Sequence, residues 1–351
     1  MPAGIIQLMV IESELADIRV EGNKYFDDDQ ILSKIRTQPG KNIKQSTMNE
    51  DIGWINRNPF RQAELLYEEG DQPATTDAVV KVRDRMPIRA YSGYSDSGNQ
   101  LTSFETLTFG FDWGQAFGTD DQLGYQFTTR AKEQLLRAHA LTYTKQLPWR
   151  HTLRLIGSYS ESDIPTRRAG TPVETESWQL GARYSMPFEW SELNDTLTFG
   201  ADFKRSENGF PELAIFNFGS KTDVTQFSAT YQLQQNIGKG VFSGGSTLIY
   251  SPGGIGGNNE SQAFTSAGGG DPEYAIAQFN ANYSHALPRA FTLTIRSRAQ
   301  ITSDSLLGSE QFSMGGYTTV RGYDASEASR DSGIFISTEL RSPRVPWLQQ
   351  K

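Results

Sequence analysis

The alternation of apolar and polar side chains in residues 106–113, TLTFGFDW, decides the fold class of this chain. Side chains of an extended strand point to opposite faces at every second residue. One face of this segment is therefore apolar, and it carries Leu107, Phe109, Phe111 and Trp113. The same period returns in about twelve segments between residues 86 and 341, where helical periodicity is absent. The pattern predicts a large β-sheet over most of the chain.

The length and polarity of these segments favour a transmembrane barrel over a soluble β-sandwich, although both architectures alternate in this way. The segments are about ten residues or longer, whereas strands in globular proteins average about five or six. Charged residues such as Arg154, Lys204 and Arg296 stand in mid-strand on the polar face, which a water-filled lumen tolerates. Short and long connections alternate, as in outer-membrane barrels. We therefore predict a mainly β protein with a transmembrane antiparallel barrel at residues 86–351.

The preceding residues, 13–85, have a different pattern and predict a small α+β domain. Apolar spacing gives a strand, two helices and two further strands, at residues 16–22, 27–35, 47–55, 60–67 and 76–83. Three aspartates at residues 27–29 stand where the dipole of the first helix favours negative charge. Thr47 and Glu50 have the spacing of a capping box for the second helix.

Composition argues against several classes of function. The chain has 33 Lys and Arg residues against 41 Asp and Glu residues, and this acidic balance does not suit a nucleic-acid partner. Cysteine is absent, so neither disulfides nor thiol-bound metals are expected. His139, His151 and His285 lie far apart without ligand spacing, and the carboxylates are scattered. We predict no enzyme, no catalytic residue, no metal and no small-molecule cofactor.

A glycine-rich stretch, FSMGGYTTVRGY, occupies residues 312–323 of a long loop at residues 303–332. Strand parity places this loop outside the membrane, between the eleventh and twelfth strands. We expect the loop motif to consist of Phe312, Gly315, Gly316, Val320, Arg321, Gly322 and Tyr323. An arginine side chain has five N–H donors and no acceptor, so Arg321 needs an acidic or carbonyl partner. Asp202 and Glu339 are the candidates within the chain.

These segments resemble the two-partner secretion outer-membrane transporters (TpsB, the haemolysin secretion/activation class) of the POTRA-barrel superfamily. The resemblance rests on VEGNKYF, NRNPFR, DRMPIRAYSGYSDSGNQ and FSMGGYTTVRGY, which begin at residues 20, 56, 84 and 312. It implies that residues 13–85 are a periplasmic POTRA (polypeptide-transport-associated) domain. Residues 1–12 would then be the last strand of a truncated preceding POTRA. Because a family barrel closes with about sixteen strands, we expect about twelve of them here and a chain truncated at both ends.

The resemblance also implies a function. A dedicated secreted partner, a large β-repeat exoprotein, would be captured in the periplasm by the POTRA domain. It would then pass through a barrel surrounded by outer-membrane lipid. The long loop at residues 303–332, which we call the motif loop, would be folded back into the lumen. Capture by strand addition needs an exposed sheet edge. Our candidates for that edge are Asn58, Pro59, Phe60, Arg61, Ala63 and Leu65, although the same strand reads equally well as a core element of the domain.

Two other functions compete with export. An outer-membrane protein assembly factor shares the POTRA-barrel architecture, but such factors usually carry more POTRA domains. A porin for small solutes would leave the POTRA domain and the loop motif without a role.

The first residues lack the basic and apolar regions of a signal peptide, and no apolar run is long enough for a transmembrane helix.

Overall fold

The computed structural model describes residues 13–96, 105–130, 136–164, 173–188, 194–209, 220–316, 318–324 and 326–343. Residues 1–12, the predicted last strand of a preceding POTRA, lie outside these ranges. The chain divides into two compact units. The first contains Met1–Arg89 and Phe111–Leu123, and the second contains Ala90–Gly110 and Gly124–Lys351.

The N-terminal module of the first unit has the predicted order of elements. Its strands and helices are β1 (Glu14–Glu21), α1 (Asp28–Leu32), α2 (Gln45–Ile55), β2 (Arg61–Glu69) and β3 (Thr75–Asp84). The sheet order is β1-β3-β2, with β1 parallel and β2 antiparallel to β3. Phe26, Ile31, Ile55 and Val80 belong to a buried cluster between the helices and the sheet. This small core holds the two helices against the sheet of the module.

The helix starts confirm one prediction and correct another. Asp28 and Asp29 lie in the first turn of α1, as expected from the helix dipole. The capping box is wrong, because α2 begins at Gln45 with Lys44 at its N-cap, which places Thr47 inside the helix. The carboxylate of Glu50 is engaged elsewhere, since Arg36 donates to its Oε2 at 2.6 Å. Spacing along the sequence could not show that competing ion pair.

A second sheet of twelve strands contains most of the remaining chain. Its first eleven strands are β4 (Ile88–Ser95), β5 (Thr106–Ala116), β6 (Asp121–Arg130), β7 (Leu136–Gln146), β8 (Thr152–Ile164), β9 (Val173–Phe188), β10 (Asn194–Gly209), β11 (Ser220–Ile237), β12 (Gly240–Pro252), β13 (Glu273–Ala286) and β14 (Thr292–Ile301). The long loop follows and contains the hairpin of β15 (Phe312–Met314) and β16 (Ala328–Arg330). The twelfth strand, β17 (Gly333–Arg341), pairs with β14. Among the described residues, the twelve strands agree with the prediction of about twelve, and the loop lies between the eleventh and twelfth of them.

The strand register separates the sheet into two faces of opposite character. Gln232, Asn280 and Arg298 lie in one cross-strand row from β11 to β14, and we call this side the polar face. Three residues earlier in β11, Ala229 begins a second cross-strand row, which contains Leu248 and Ile301 and lies on the other side of the sheet, the apolar face. Leu248 is 63% exposed there. A row of exposed apolar side chains facing away from a polar row is what lipid contact requires.

A short third helix, α3 (Ser261–Ser266), lies between β12 and β13. None of the described helices is long and apolar enough to span a membrane.

Candidate functional site

The motif loop is held to the polar face by the carboxylate of Glu310. Lys204 of β10 donates to both carboxylate oxygens, at 2.9 and 3.1 Å, and Gln226 of β11 donates to Oε2 at 2.7 Å. From β14, Gln300 donates to the backbone carbonyl of Glu310 at 2.9 Å. Three strands of the wall therefore bind one loop residue. Glu310 is not among the site residues predicted from the sequence, because a loop acid is ordinarily solvated.

An apolar cluster supports the same loop before the motif begins. Leu306 and Leu307 of the loop are buried, and they belong to a cluster with Phe264 of α3. The remaining members come from β11 and β13 and are Val224, Tyr274 and Ile276. Burying leucine side chains stabilises this arrangement by roughly 1.5–3 kcal/mol for each fully covered one. The N-terminal part of the loop is thus a packed structure.

The first residue of the motif, Phe312, closes the base of the hairpin. It is buried, and the guanidinium carbon of Arg298 lies 5.3 Å from the centre of its ring. A side chain at Gly333 has no room, since an added Cβ would lie 2.3 Å from Cδ1 of Phe312. The glycine that starts β17 therefore lets the phenyl ring approach the wall closely.

The two predicted glycines at residues 315 and 316 form a tight turn. Gly315 has a φ of 117°, and an added Cβ would lie 2.2 Å from the carbonyl oxygen of Asp324. Its N–H donates to Oγ1 of Thr319 at 2.9 Å, and the N–H of Gly316 donates to the carbonyl of Tyr323 at 3.0 Å. Only glycine takes this conformation at so close an approach without strain. Gly322 also has a positive φ.

Arg321 binds Glu339 of β17, one of its two candidate partners. Its Nη2 lies 3.0 Å from Oε1 of Glu339, while Arg296 of β14 binds Oε2 at 3.1 Å. The other candidate, Asp202, binds Arg183 at 2.7 Å. Because the Arg321 side chain is 64% exposed, its ion pair is screened by water and weaker than the buried contacts of Glu310. The other motif residues, Val320 and Tyr323, are exposed.

A cavity of about 530 Å³ lies between the tip of the loop and the polar face. Thr318 and Thr319 line it on the loop side. The wall side is lined by the amides Gln232, Gln234, Asn280 and Asn282 and by the cations Arg296 and Arg298. Such a surface offers hydrogen bonds to a polar chain. Within the described residues, no cluster of His, Cys, Asp or Glu is arranged to hold a metal ion.

The predicted capture residues of the module have a different environment from the one expected. Asn58 and Phe60 are buried, and the side chain of Arg61 is 0% exposed. Asp120, in the turn between β5 and β6, binds Arg61 at 2.6 Å, Lys34 at 2.7 Å and Asn58 at 2.8 Å. These contacts lie within the first compact unit and tie that turn to the module. Asp120 is not among the site residues predicted from the sequence.

The strand itself lies where it was expected, at an edge of the module sheet. Its start is covered, because the side chain of Asn56 bonds both backbone groups of Ala63, at 2.6 and 2.9 Å. Further along, Leu65 packs partly against the core and Tyr67 is half exposed. Partial burial raises the pKa of Tyr67. Substrate binding at this edge remains a prediction.

Comparison with known proteins places this architecture in a family. The family model of haemolysin secretion/activation proteins ShlB/FhaC/HecB matches residues 75–351. The chain belongs to this family. A second model, the POTRA surface antigen variable number repeat, matches residues 13–85. Membership confirms the resemblance and the predicted localisation, a cell outer membrane with the POTRA domain in the periplasm.

Individual relatives have low sequence identity to this chain but align with almost all of it. The heme/hemopexin transporter protein HuxB of Haemophilus influenzae is 22% identical over 96% of this chain and 60% of its own length. The outer membrane transporter CdiB of Dickeya dadantii is 20% identical over 97% of this chain and 61% of its own. The chain thus spans about 60% of the length of the curated relatives that it matches.

Solved structures share the fold. CdiB from Escherichia coli superposes with a TM-score of 0.79 at 18% identity, covering 94% of this chain and 62% of that one. BamA from Haemophilus ducreyi, lacking POTRA domains 1–3, gives a TM-score of 0.59 at 14% identity, covering 95% and 68%. These likenesses agree with the predicted POTRA domain followed by a partial antiparallel barrel.

Proposed function

We propose that this chain exports a dedicated secreted protein across the outer membrane. The match of the haemolysin secretion/activation family to residues 75–351, which include the motif loop, carries the proposal. The relatives HuxB and CdiB are named as transporters. The partner that we propose is a large β-repeat protein, supplied to the periplasm unfolded.

The geometry supports a mechanical role. The POTRA domain offers an edge strand to an extended segment of the partner, and the polar face offers amide and guanidinium groups along the barrel wall. The motif loop is fixed to that face at Glu310 and Arg321. No covalent bond of the partner is made or broken in this scheme, and we propose no enzymatic activity. Folding of the partner outside the cell would provide the driving force.

Assembly of other outer-membrane proteins is the second candidate, because the fold also resembles BamA from Haemophilus ducreyi. The TM-score is higher for CdiB, at 0.79 against 0.59. At these identities the likeness concerns the fold alone, so an experiment must decide between the two functions.

The test is to delete the gene and compare the proteins of the culture medium and of the outer membrane, with a complemented strain as the control. Export of a dedicated partner predicts that one secreted protein disappears from the medium while outer-membrane proteins keep their levels. Loss of many outer-membrane barrel proteins with an unchanged medium would instead establish the assembly function.

A further inference from the structure

The hydrogen-bond parity of β2 shows which part of the module edge is free. The N–H of Gly70 donates to the carbonyl of Thr75 at 3.1 Å, and the N–H of Arg85 donates to the carbonyl of Phe60 at 2.9 Å. Even-numbered residues of this strand therefore direct their backbone groups towards β3. In an antiparallel ladder the odd-numbered ones point the opposite way.

Of these outward-pointing groups, those of Ala63 are already occupied by the Asn56 amide. The next ones belong to Leu65, Tyr67 and Glu69. β2 has β3 as its one neighbour in the module sheet of the described residues. The free edge is thus residues 65–69, which is further along the strand than the buried segment around Phe60.

Side chains beside the free edge have a distinct charge pattern. Glu64, Leu66 and Glu68 share one face of β2, and all three are exposed. Glu68 binds Arg19 of β1 at 2.5 Å. Glu64 forms no ion pair within the part of the chain that the structure describes. A strand added at this edge would place its alternate side chains beside Glu64, Leu66 and Glu68.

We propose that residues 65–69 are the capture site, and that they pair with an extended segment carrying basic, apolar and basic residues at alternate positions. The backbone of Leu65, Tyr67 and Glu69 supplies the hydrogen bonds. Opposite charges across the new pair select the segment, while the apolar residue covers Leu66. That this segment belongs to the secreted partner rests on the proposed function.

Two synthetic peptides test the charge selection. TKTVTKT places lysines on either side of a valine at alternate positions, and TETVTET replaces both lysines with glutamate. We expect the lysine peptide to bind the full chain in detergent about threefold to tenfold more tightly, from two favourable cross-strand pairs. Glu64→Lys should reduce this preference by about twofold or more. Equal binding of the peptides, binding of neither, or an unchanged preference in Glu64→Lys overturns the proposal.

A proline variant tests the backbone pairing. Tyr67→Pro removes an outward N–H and no bond to β3, and proline is tolerated at such edge positions. Tyr67→Thr keeps the N–H and serves as the control. We expect the proline variant not to bind the lysine peptide and the threonine variant to bind it. The two variants should unfold at the same temperature. Should the proline variant not fold, the Glu64→Lys measurement decides. Wild-type binding by a folded proline variant contradicts the edge assignment.

The site and the proposed export can fail separately. If the gene deletion removes one protein from the medium while neither peptide binds, export stands and the capture site lies elsewhere. If the lysine peptide binds at this edge but the deletion leaves the medium unchanged, the site stands and the export function does not.

Discussion

The ammonium group of Lys204 lies 2.9 and 3.1 Å from the two carboxylate oxygens of Glu310, a residue 106 positions later in the chain. Lys204 belongs to the barrel wall and Glu310 to the motif loop. Both side chains are largely shielded from water, and the carboxylate has a further donor in Gln226. We infer that this pair is the principal electrostatic contact between loop and wall.

Reversing either charge should release the loop. The chain has no cysteine, so a single cysteine at Ser313 can report loop position through its rate of labelling by a water-soluble thiol reagent. Lys204→Glu or Glu310→Lys should raise that labelling rate by about tenfold or more. An unpaired buried charge destabilises the docked loop by about 3 kcal/mol, and 1.4 kcal/mol is enough for a tenfold change in the docking equilibrium. The double reversal should restore the slow rate. Fast labelling in the double variant would show that the pair is not the anchor.

Gly315→Ala should disturb the motif turn. The new Cβ would meet the carbonyl of Asp324 at a residue whose φ is 117°. Gly308→Ala is the matched control, because Gly308 lies in the same loop and has nothing within 4 Å of an added Cβ. We expect the first variant to lose most export at normal protein levels and the second to retain it. Equal export by both variants would mean that the turn geometry is unimportant.

Arg321→Ala should reduce export without removing the protein from the membrane. Its ion pair with Glu339 is exposed and contributes at most about 1 kcal/mol to folding. The barrel should therefore still shift in heat-modifiability gels. Arg330→Ala, at an exposed arginine of the same loop, is the control. Unchanged secretion by Arg321→Ala would contradict a bracing role for this arginine.

Asp120→Asn should loosen the first compact unit. It leaves the fully buried Arg61 guanidinium without its carboxylate, and removing one partner of a buried pair costs about 3–5 kcal/mol. Limited proteolysis should cleave the module faster in this variant. Asp71→Asn, at an exposed position of the β2–β3 turn, should leave the cleavage rate unchanged. Identical rates in both variants would argue that the Arg61 contact does not hold the turn.

Sequence periodicity predicted the strands. Alternate side chains of each strand face lipid or water, and each must have the polarity that suits its own side, so the pattern is visible in the local sequence. The twelve strands and the placement of the motif loop between β14 and β17 follow from that local rule. The strand–helix–helix–strand–strand order of the module followed in the same way.

Contacts between distant residues could not be predicted. Arg61 and Asp120 lie 59 positions apart, and nothing local to either residue indicates their contact. Lys204 and Glu310 lie 106 positions apart, and nothing local to Glu310 distinguishes it from a solvated loop acid. The free edge of β2 depends on hydrogen-bond parity and on the Asn56 side chain, which only the structure reveals.

Passage of the partner through the barrel is the central claim, and photo-crosslinking of a stalled partner tests it most directly. A photoreactive residue at Gln232 would stand on the polar face, and one at Leu248 on the apolar face. The secreted protein found by gene deletion would be stalled in transit with a folded domain fused to it. We predict a crosslink from position 232 and none from position 248. A partner that crosslinks at neither position, or equally at both, would contradict export through this barrel.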